Sequence, residues 1–201
     1  MKEKISKAEQ NKRAKRKAIF RAAIEIFAKN GFHNTKMSDI AKEANVADGT
    51  IYLYYQNKDD LFIKVFKEMV DEKLSEIMDE IDKENNALDK LRKFLSLHVK
   101  LFTENTSYTK FFVQEIRQSP DFYSKYPDFA PINNYIDCLE KLILEAIDQK
   151  LLRPLNVKIV SRMLYGSIDT LLTEWTLNGT AFNLDEINET VIDFFHNGMK
   201  A

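Results

Sequence analysis

Cysteine, glycine and proline are all scarce in this chain. Among its 201 residues there are one cysteine, five glycines and four prolines. The single cysteine, Cys138, cannot form an intramolecular disulfide, which suits a reducing compartment. So few glycines and prolines exclude a collagen-like or low-complexity chain and favour long helices.

Long apolar runs are also missing. No stretch approaches the roughly 20 apolar residues that a membrane-spanning helix needs. The first segment, MKEKISKAEQNKRAKRKAIF, has no apolar centre of the kind found in a secretory signal peptide. We therefore expect a cytoplasmic protein of a bacterial-type cell, with no membrane partner.

The residue patterns of common enzymes do not occur either. His33, His98 and His196 are isolated from cysteines and paired carboxylates, so no metal-ligand spacing is present. There is no glycine-rich phosphate loop and no serine nucleophile motif. We expect neither enzyme activity nor a metal or cofactor, and we expect Cys138 to be a small buried hydrophobe.

Charge is segregated along the chain, although the net charge is only −1. Residues 1–21 contain nine Lys or Arg and two Asp or Glu, a net charge of +7 that leaves −8 on the remainder. A basic segment on an acidic body is typical of a protein that presents one end to a polyanion. A solvated basic tail would have the same composition, so charge alone leaves both interpretations open.

Helical periodicity dominates what the chain does contain. Apolar residues recur at helical spacing and no alternating strand pattern is evident, so we predict an all-α fold. The first helix ends near Gly31, and a long amphipathic helix begins at Asp59 and runs to Ile81. Further helices are expected at 87–104, 108–118, 131–151, 157–178 and 184–199.

Two short helices are expected after the first one. Thr35 or Ser38 can cap the first of them, and Asn45 can end it in a left-handed conformation. Asp48 can cap the second. Two short helices joined by a tight turn, beside a preceding helix, form a helix-turn-helix whose second helix enters the DNA major groove.

Tyrosines are concentrated in the second short helix, which we expect to extend to Tyr54 or Tyr55. A helix that only filled a core would disfavour them, because a buried phenol needs a hydrogen-bond partner. We expect Tyr55 to face the core, and Tyr52 and Tyr54 to donate to DNA phosphates. Lys58 is expected to bind the same backbone. The structural alternative is a helical corner packed in a larger bundle.

The segment NTKMSDIAKEANVADGTIYLYYQNKDDLF, residues 34–62, resembles the DNA-binding signature of the TetR family of bacterial transcriptional regulators. The resemblance extends from residue 19 to about residue 66. It implies a basic arm and helix-turn-helix domain at residues 1–66 and a helical ligand-binding and dimerisation domain at residues 67–201. The residues that it places on double-stranded DNA are Thr35, Lys36, Ser38, Asp48, Gly49, Thr50, Tyr52, Leu53, Tyr54 and Lys58.

This segment departs from the family pattern at two positions. Asn45 stands where a glycine is usual in the turn, which costs little because Asn tolerates a left-handed conformation. Asp48 stands where Ser, Lys or Arg is common, so a phosphate contact there is not expected. An aspartate can instead accept from cytosine or cap the helix.

The resemblance also implies a homodimer formed by the last two helices, 157–178 and 184–199. Both carry broad apolar stripes, and Gly166 and Ser167 would allow two helices to approach closely. A two-fold dimer reads a palindromic operator, with half-sites about 34–36 Å apart or a multiple of that distance. Alternatively, these stripes only close the core of one chain.

A finer resemblance rests on EIRQS at residues 115–119, YGSIDTLLTEW at 165–175 and VADGTIYLYY at 46–55. These stretches look like those of TetR-type regulators of fatty-acid degradation, repressors that bind long-chain acyl-CoA and release DNA. The resemblance implies an apolar effector pocket in which Arg117, or else Lys110 or Arg92, meets the CoA phosphates. The candidate pocket residues are Phe94, Leu97, His98, Leu101, Phe111, Phe112, Glu115, Ile116, Arg117, Ile136, Leu139, Ile143, Ile168, Leu172 and Trp175.

Three alternatives remain open for this body. Its apolar residues can be packed core, in which case His98 is a satisfied core residue and Arg117 pairs with a glutamate. The effector can be another hydrophobic small molecule, sensed by a regulator of an efflux or metabolic gene. In a different class, a helical lipid carrier would use the basic arm for an acidic partner and would show no operator preference.

Overall fold

The computed structural model describes residues 6–104, 109, 130, 132–178 and 183–201. Every regular element in these ranges is a helix, apart from one isolated antiparallel bridge between Leu152 and Lys200. The all-α prediction is therefore confirmed, while the helix expected at 108–118 falls outside the described residues. The helices are α1 Lys7–Asn34, α2 Met37–Glu43, α3 Asp48–Ile51, α4 Lys58–Ile81, α5 Ala87–Glu104, α6 Asn133–Asp148, α7 Val157–Asn178 and α8 Leu184–Met199.

Helix α1 includes most of the basic segment. It begins at Lys7, where the hydroxyl of Ser6 accepts a hydrogen bond from the main-chain N–H of Glu9 at 3.2 Å. Gly31 has φ 76° and ψ 161° and interrupts the helix. The prediction that the regular helix stops at this glycine is confirmed, because the left-handed region favours a residue without Cβ.

The described chain divides into two compact units after Glu68. The first contains residues 6–68, and the second contains the described residues from Met69 onward. The division falls inside α4, so this one helix contributes to both units.

The core of the first unit is built by α1, α2, α3 and the start of α4. Phenylalanine rings join α1 to α4, with ring centroids 5.5 Å apart for Phe27 and Phe62 and 5.0 Å apart for Phe32 and Phe62. The edge-to-face arrangement of these pairs is one that aromatic rings prefer. Fully buried residues of this core are Ile19, Ala23, Phe27, Ile40, Ala41, Ile51, Leu61, Val65 and Phe66.

The second unit packs α5, α6, α7 and α8 around its own core. Helix α5 contacts the other three, and α7 contacts both α6 and α8. The C-terminus is fixed to this bundle by Arg153, which donates from its main chain to Met199 and from its guanidinium to the carbonyl of Gly198. Within the described ranges, no helix is both long and apolar enough to cross a membrane.

Candidate DNA-binding site and effector region

Helix α2 is capped at its N-terminus by a hydrogen bond from the main chain of Lys36 to the side chain of Asp39. The N–H of Lys36 donates to the carboxylate of Asp39 at 3.1 Å, and Ser38 lies inside the helix. Thr35 is only 2% exposed, and its hydroxyl donates to the carbonyl of Gly31 at 2.7 Å. The expectation that Thr35 or Ser38 caps α2 is therefore wrong. The Thr35 hydroxyl satisfies a carbonyl left unpaired near the end of α1, and its expected place at the DNA edge stays a prediction.

The turn between α2 and α3 is the tight turn of a helix-turn-helix. Asn45 has φ 53°, and the N–H of Val46 returns to the carbonyl of Ala41 at 2.9 Å. The left-handed conformation predicted for Asn45 is confirmed.

Helix α3 is shorter than predicted. Asp48 is its first helical residue, with Ala47 as the N-cap and no side-chain capping bond, so the expectation that Asp48 caps the helix is wrong. Regular helix ends at Ile51, after which the N–H groups of Tyr54 and Tyr55 share the Ile51 carbonyl at 3.1 Å each. The tyrosines therefore lie in tighter turns that follow α3, and we call α3 together with these turns, residues 48–55, the recognition segment.

The tyrosine-rich segment, residues 52–55, separates into an outer and an inner side. Tyr52 is 54% exposed and Leu53 is 80% exposed. Tyr55 is buried, as predicted, and Tyr54 is half-buried. The remaining candidates that reach solvent are Lys36, Ser38, Asp48 and Gly49, which are exposed, and Thr50, which is half-buried.

Gly49 has open space around its α-carbon. A Cβ added there would meet no atom within 4 Å. Packing inside the chain does not require a glycine at this exposed position.

Lys58 points to the main chain of its own fold. Its Nζ donates to the carbonyls of Phe32 at 2.7 Å, His33 at 3.1 Å and Thr35 at 3.0 Å, and it lies 4.5 Å from the centroid of the Phe32 ring. Since an ammonium has three N–H donors, these bonds use all of them. In this structure Lys58 holds the end of α1, and the phosphate contact expected of this ammonium stays an untested prediction.

The Asn-Lys-Asp-Asp sequence after the tyrosines starts α4. The side chain of Asn57 accepts from the N–H of Asp60 at 2.8 Å, and Asp60 accepts in return from the N–H of Gln56 at 2.9 Å. Partial burial opposes ionisation of Asp60, but hydrogen bonds from Lys64 and Gln56 hold its pKa below the usual value. This reciprocal capping anchors α4 immediately after the recognition segment.

Tyr55 connects the recognition segment to α4, the helix that contributes to both units and that we call the shared helix. Burial raises its pKa to about 12, with a further contribution from the nearby carboxylate of Glu68. Glu68 itself accepts from Arg16 of α1 at 2.9 Å. Tyr55 is thus a protonated core residue, and Arg16 is committed to an intramolecular ion pair.

The candidate pocket residues fall into three groups. His98 is buried, with 6% of its surface exposed. The apolar candidates Phe94, Leu139, Ile143, Ile168 and Leu172 are buried in the second unit, and Leu97, Leu101, Ile136 and Trp175 are half-buried. Phe111, Phe112, Glu115, Ile116 and Arg117 lie outside the described residues.

Leu97 and Leu101 line an open groove of about 460 Å³ along α4 and α5. Its other lining residues are charged apart from Ile77: Glu76, Asp79, Glu80, Lys93 and Lys100. Cations and carboxylates of this groove are intermixed, and it does not present a single sign of charge to a ligand.

Two tyrosines that were not predicted from the sequence lie beside His98. The ring centroids of His98 and Tyr135 are 4.9 Å apart, and those of Tyr135 and Tyr165 are 5.5 Å apart. A signal was present, because Tyr135 precedes Leu139 by four residues and Tyr165 precedes Ile168 by three, which places each on the same helical face as a chosen candidate.

Arg92, a weaker candidate for the CoA phosphates, is engaged inside the bundle. Its Nη2 lies 2.6 Å from Nδ1 of His196 and so links α5 to α8. Partial burial lowers the pKa of His196, and the neighbouring guanidinium adds to the effect. A neutral imidazole can accept this hydrogen bond.

No group of three or more potential metal ligands occurs in the part of the chain that the structure describes.

Family matches agree with this architecture. Residues 19–65 match the family described as bacterial regulatory proteins, tetR family, and residues 66–198 match the C-terminal region of YsiA-like proteins. The fatty acid metabolism regulator protein of Bacillus subtilis is 31% identical over 192 residues, covering 94% of this chain and 98% of that protein. The chain belongs to the TetR family. It is a transcriptional regulator, as its relatives are, and not an enzyme.

Solved structures extend the match to three dimensions. The transcriptional regulator FadR from Bacillus subtilis in complex with stearoyl-CoA aligns with a TM-score of 0.82 at 31% identity, covering 91% of this chain and 98% of that one. The fatty acid degradation regulator FadR from Bacillus halodurans also aligns with a TM-score of 0.82, at 27% identity, covering 92% of this chain and 95% of that one. The helix-turn-helix head and helical body are therefore those of a TetR-family regulator.

Proposed function

We propose that this TetR-family regulator is a repressor that binds a palindromic operator as a homodimer and releases it when long-chain acyl-CoA binds in the body. The observation that carries this proposal is the alignment over 91% of the chain with a FadR whose structure contains stearoyl-CoA. A repressor of this kind acts on chromosomal DNA, in the cytoplasm.

The DNA-contacting surface is formed by α2 and the recognition segment. Lys36, Tyr52 and Tyr54 contact phosphates, which gives affinity without sequence preference. Ser38, Asp48, Gly49, Thr50 and Leu53 face the base edges. This assignment is supported by their exposure or half-exposure, and it leaves out Thr35 and Lys58, whose side-chain polar groups are engaged inside the head.

The homodimer forms through α7 and α8. Ile159 and Met163 on α7 are 56% and 51% exposed, and Phe194 on α8 is 70% exposed. Large apolar side chains exposed together commonly mark a protein interface. A Cβ added at Gly166 would meet no atom within 4 Å, so the space beside this glycine is available to a second copy.

The effector pocket lies among α5, α6 and α7, whose buried aromatic and aliphatic residues can surround an acyl chain. Helix α4 couples it to the head, because the helix contributes to both units. A coupling free energy of about 1–3 kcal/mol, typical of allosteric proteins, would lower operator affinity several-fold to about a hundred-fold.

Fluorescence anisotropy tests this function on a labelled DNA fragment from upstream of the protein's own gene, with a shuffled fragment of equal length as control. We expect salt-dependent binding to the first fragment in preference to the second, and release by micromolar palmitoyl-CoA but not by palmitate or CoA alone. Specific binding that palmitoyl-CoA leaves unchanged would refute the effector and leave a regulator of another ligand. Equal binding to both fragments would refute operator recognition.

A further inference from the structure

Three aromatic side chains with polar groups meet inside the second unit, and we call His98, Tyr135 and Tyr165 the polar cluster. They come from three different helices, α5, α6 and α7. Ring centroids lie 4.9 Å apart for His98 and Tyr135, 6.2 Å for His98 and Tyr165, and 5.5 Å for the two tyrosines. Each ring therefore lies next to the other two.

Two apolar rings lie beside the polar cluster, whose third member, Tyr165, is half-buried. The centroid of Phe94 is 4.7 Å from that of Tyr135, and the centroid of Phe102 is 5.5 Å from that of His98. Tyr135 is 8% exposed and His98 is 6% exposed. A phenol or imidazole in such surroundings costs free energy unless its polar atoms find partners, so Phe or Leu would be the better choice for a simple core.

The ring of Tyr135 lies beside those of Phe94, His98 and Tyr165, in a largely apolar interior. Burial raises the pKa of Tyr135 well above its usual value of 10.0, and the neighbouring Tyr165 and Cys138 add to the effect. The phenol therefore remains protonated and keeps an O–H available for donation. An O–H donor in an apolar interior is complementary to an uncharged acceptor oxygen, because a buried anion would require a compensating cation.

A long-chain acyl-CoA has one such acceptor between its acyl chain and its CoA portion: the thioester carbonyl oxygen. We propose that the Tyr135 hydroxyl donates a hydrogen bond to this oxygen, with His98 and Tyr165 packed beside it to fix the position of the phenol. The inference rests on the proposed function, since it assumes that the effector is an acyl thioester. It assigns the carbonyl of the effector to the junction of α5, α6 and α7, with the acyl chain among the surrounding apolar side chains.

A ligand that lacks only the carbonyl oxygen gives the matched control. Isothermal titration calorimetry would compare palmitoyl-CoA with hexadecyl-CoA, its thioether analogue, on the full-length protein and on Tyr135→Phe. We expect the wild-type protein to bind palmitoyl-CoA roughly tenfold more tightly than the thioether, the difference that one buried hydrogen bond supplies. The Tyr135→Phe protein should bind the two ligands equally, at about the wild-type affinity for the thioether.

The outcomes distinguish this inference from the proposed function. An equal loss of affinity for both ligands in Tyr135→Phe, or no loss for either, would overturn the hydrogen bond while leaving acyl-CoA as effector. Failure of the wild-type protein to bind either ligand would overturn both. Thermal melting of the two proteins checks folding, and Tyr165→Phe, in which the phenol of Tyr135 is retained, should keep a preference for the thioester.

Discussion

The Nζ of Lys58 lies 2.7 Å from the main-chain carbonyl oxygen of Phe32. Two more carbonyls, of His33 and Thr35, complete its hydrogen bonds. The carbonyls at the C-terminal end of a helix carry partial negative charge and lack intrahelical partners. Lys58 is the first residue of α4, so this contact fixes the start of the shared helix to the corner between α1 and α2.

Replacing Lys58 by methionine should destabilise the head without removing a phosphate contact. The methionine keeps the apolar stem but leaves three carbonyls without their donor, for a loss of about 1–3 kcal/mol in the free energy of unfolding. We expect a lower melting temperature and weaker operator binding, because α2 and the recognition segment are held less firmly. The slope of log K against log salt concentration should stay unchanged, measured by anisotropy at several salt concentrations.

Lys36→Met is the matched control for that experiment, since Lys36 is exposed beside α2. Loss of one phosphate contact should reduce the magnitude of the salt slope by about 0.9, with no change in melting temperature. A reduced salt slope and unchanged melting temperature for Lys58→Met would show that its ammonium binds phosphate after all.

Gly49→Ala should weaken operator binding without lowering the stability of the fold. An added Cβ meets no atom of the chain within 4 Å, and alanine is favoured over glycine inside a helix by about 1 kcal/mol. The melting temperature should therefore stay the same or rise, while operator affinity falls because the Cβ meets DNA. Full operator affinity in Gly49→Ala would contradict the proposed docking surface.

Asp60→Asn should lower stability in a pH-dependent way. Hydrogen bonds from Lys64 and Gln56 hold the pKa of Asp60 below 3.8, so its ionised form stabilises the fold at neutral pH. Since the pKa is depressed, this stabilisation is present above 3.8 and is lost as pH falls through the lower folded-state pKa. We expect a difference of about 0.5–1 kcal/mol in the free energy of unfolding at neutral pH.

Urea unfolding at a series of pH values measures that difference. It should shrink as the wild-type carboxylate is protonated, whereas a difference that stays constant with pH would contradict the capping role. Asp82→Asn is the control, because Asp82 is exposed and approaches Lys90 only to 3.9 Å; a pair of that kind contributes little.

Phe194→Asp should dissociate the proposed homodimer. Phe194 is 70% exposed within one chain, so an aspartate there is tolerated by the monomer but places a charge in the interface. Sedimentation analysis should show a shift from dimer to monomer, with operator affinity lost in parallel. Leu144→Asp on α6, where Leu144 is 49% exposed, should leave the dimer intact. A dimer that persists in Phe194→Asp would place the interface elsewhere.

Helix positions could be predicted from the sequence, while the partners of individual polar groups could not. The helices at 87–104, 157–178 and 184–199 have their predicted bounds, because apolar periodicity and punctuation by Asn, Pro and Gly are local signals. Thr35 and Lys58 were assigned to DNA, yet both bind carbonyls near the end of α1. The tertiary fold determines which carbonyls lie within reach of these side chains, and local sequence patterns do not reveal it.

The effector region was harder to predict for a different reason. Residues such as Phe94 and Leu139 have the same periodicity whether they fill a core or line a pocket. Tyr135 and Tyr165 were not among the candidates, most of which are apolar side chains. Their significance depends on three helices meeting at His98, which no single segment of sequence reveals.

The central claim is that an effector site in the body and a DNA site in the head share one coupling free energy. Its most direct measurement is the affinity for palmitoyl-CoA, determined by calorimetry for the free protein and for the protein saturated with operator. Thermodynamic linkage requires operator to weaken palmitoyl-CoA binding by the same factor as palmitoyl-CoA weakens operator binding. We predict equal factors, both well above one. Equal palmitoyl-CoA affinity with and without operator would contradict the claim.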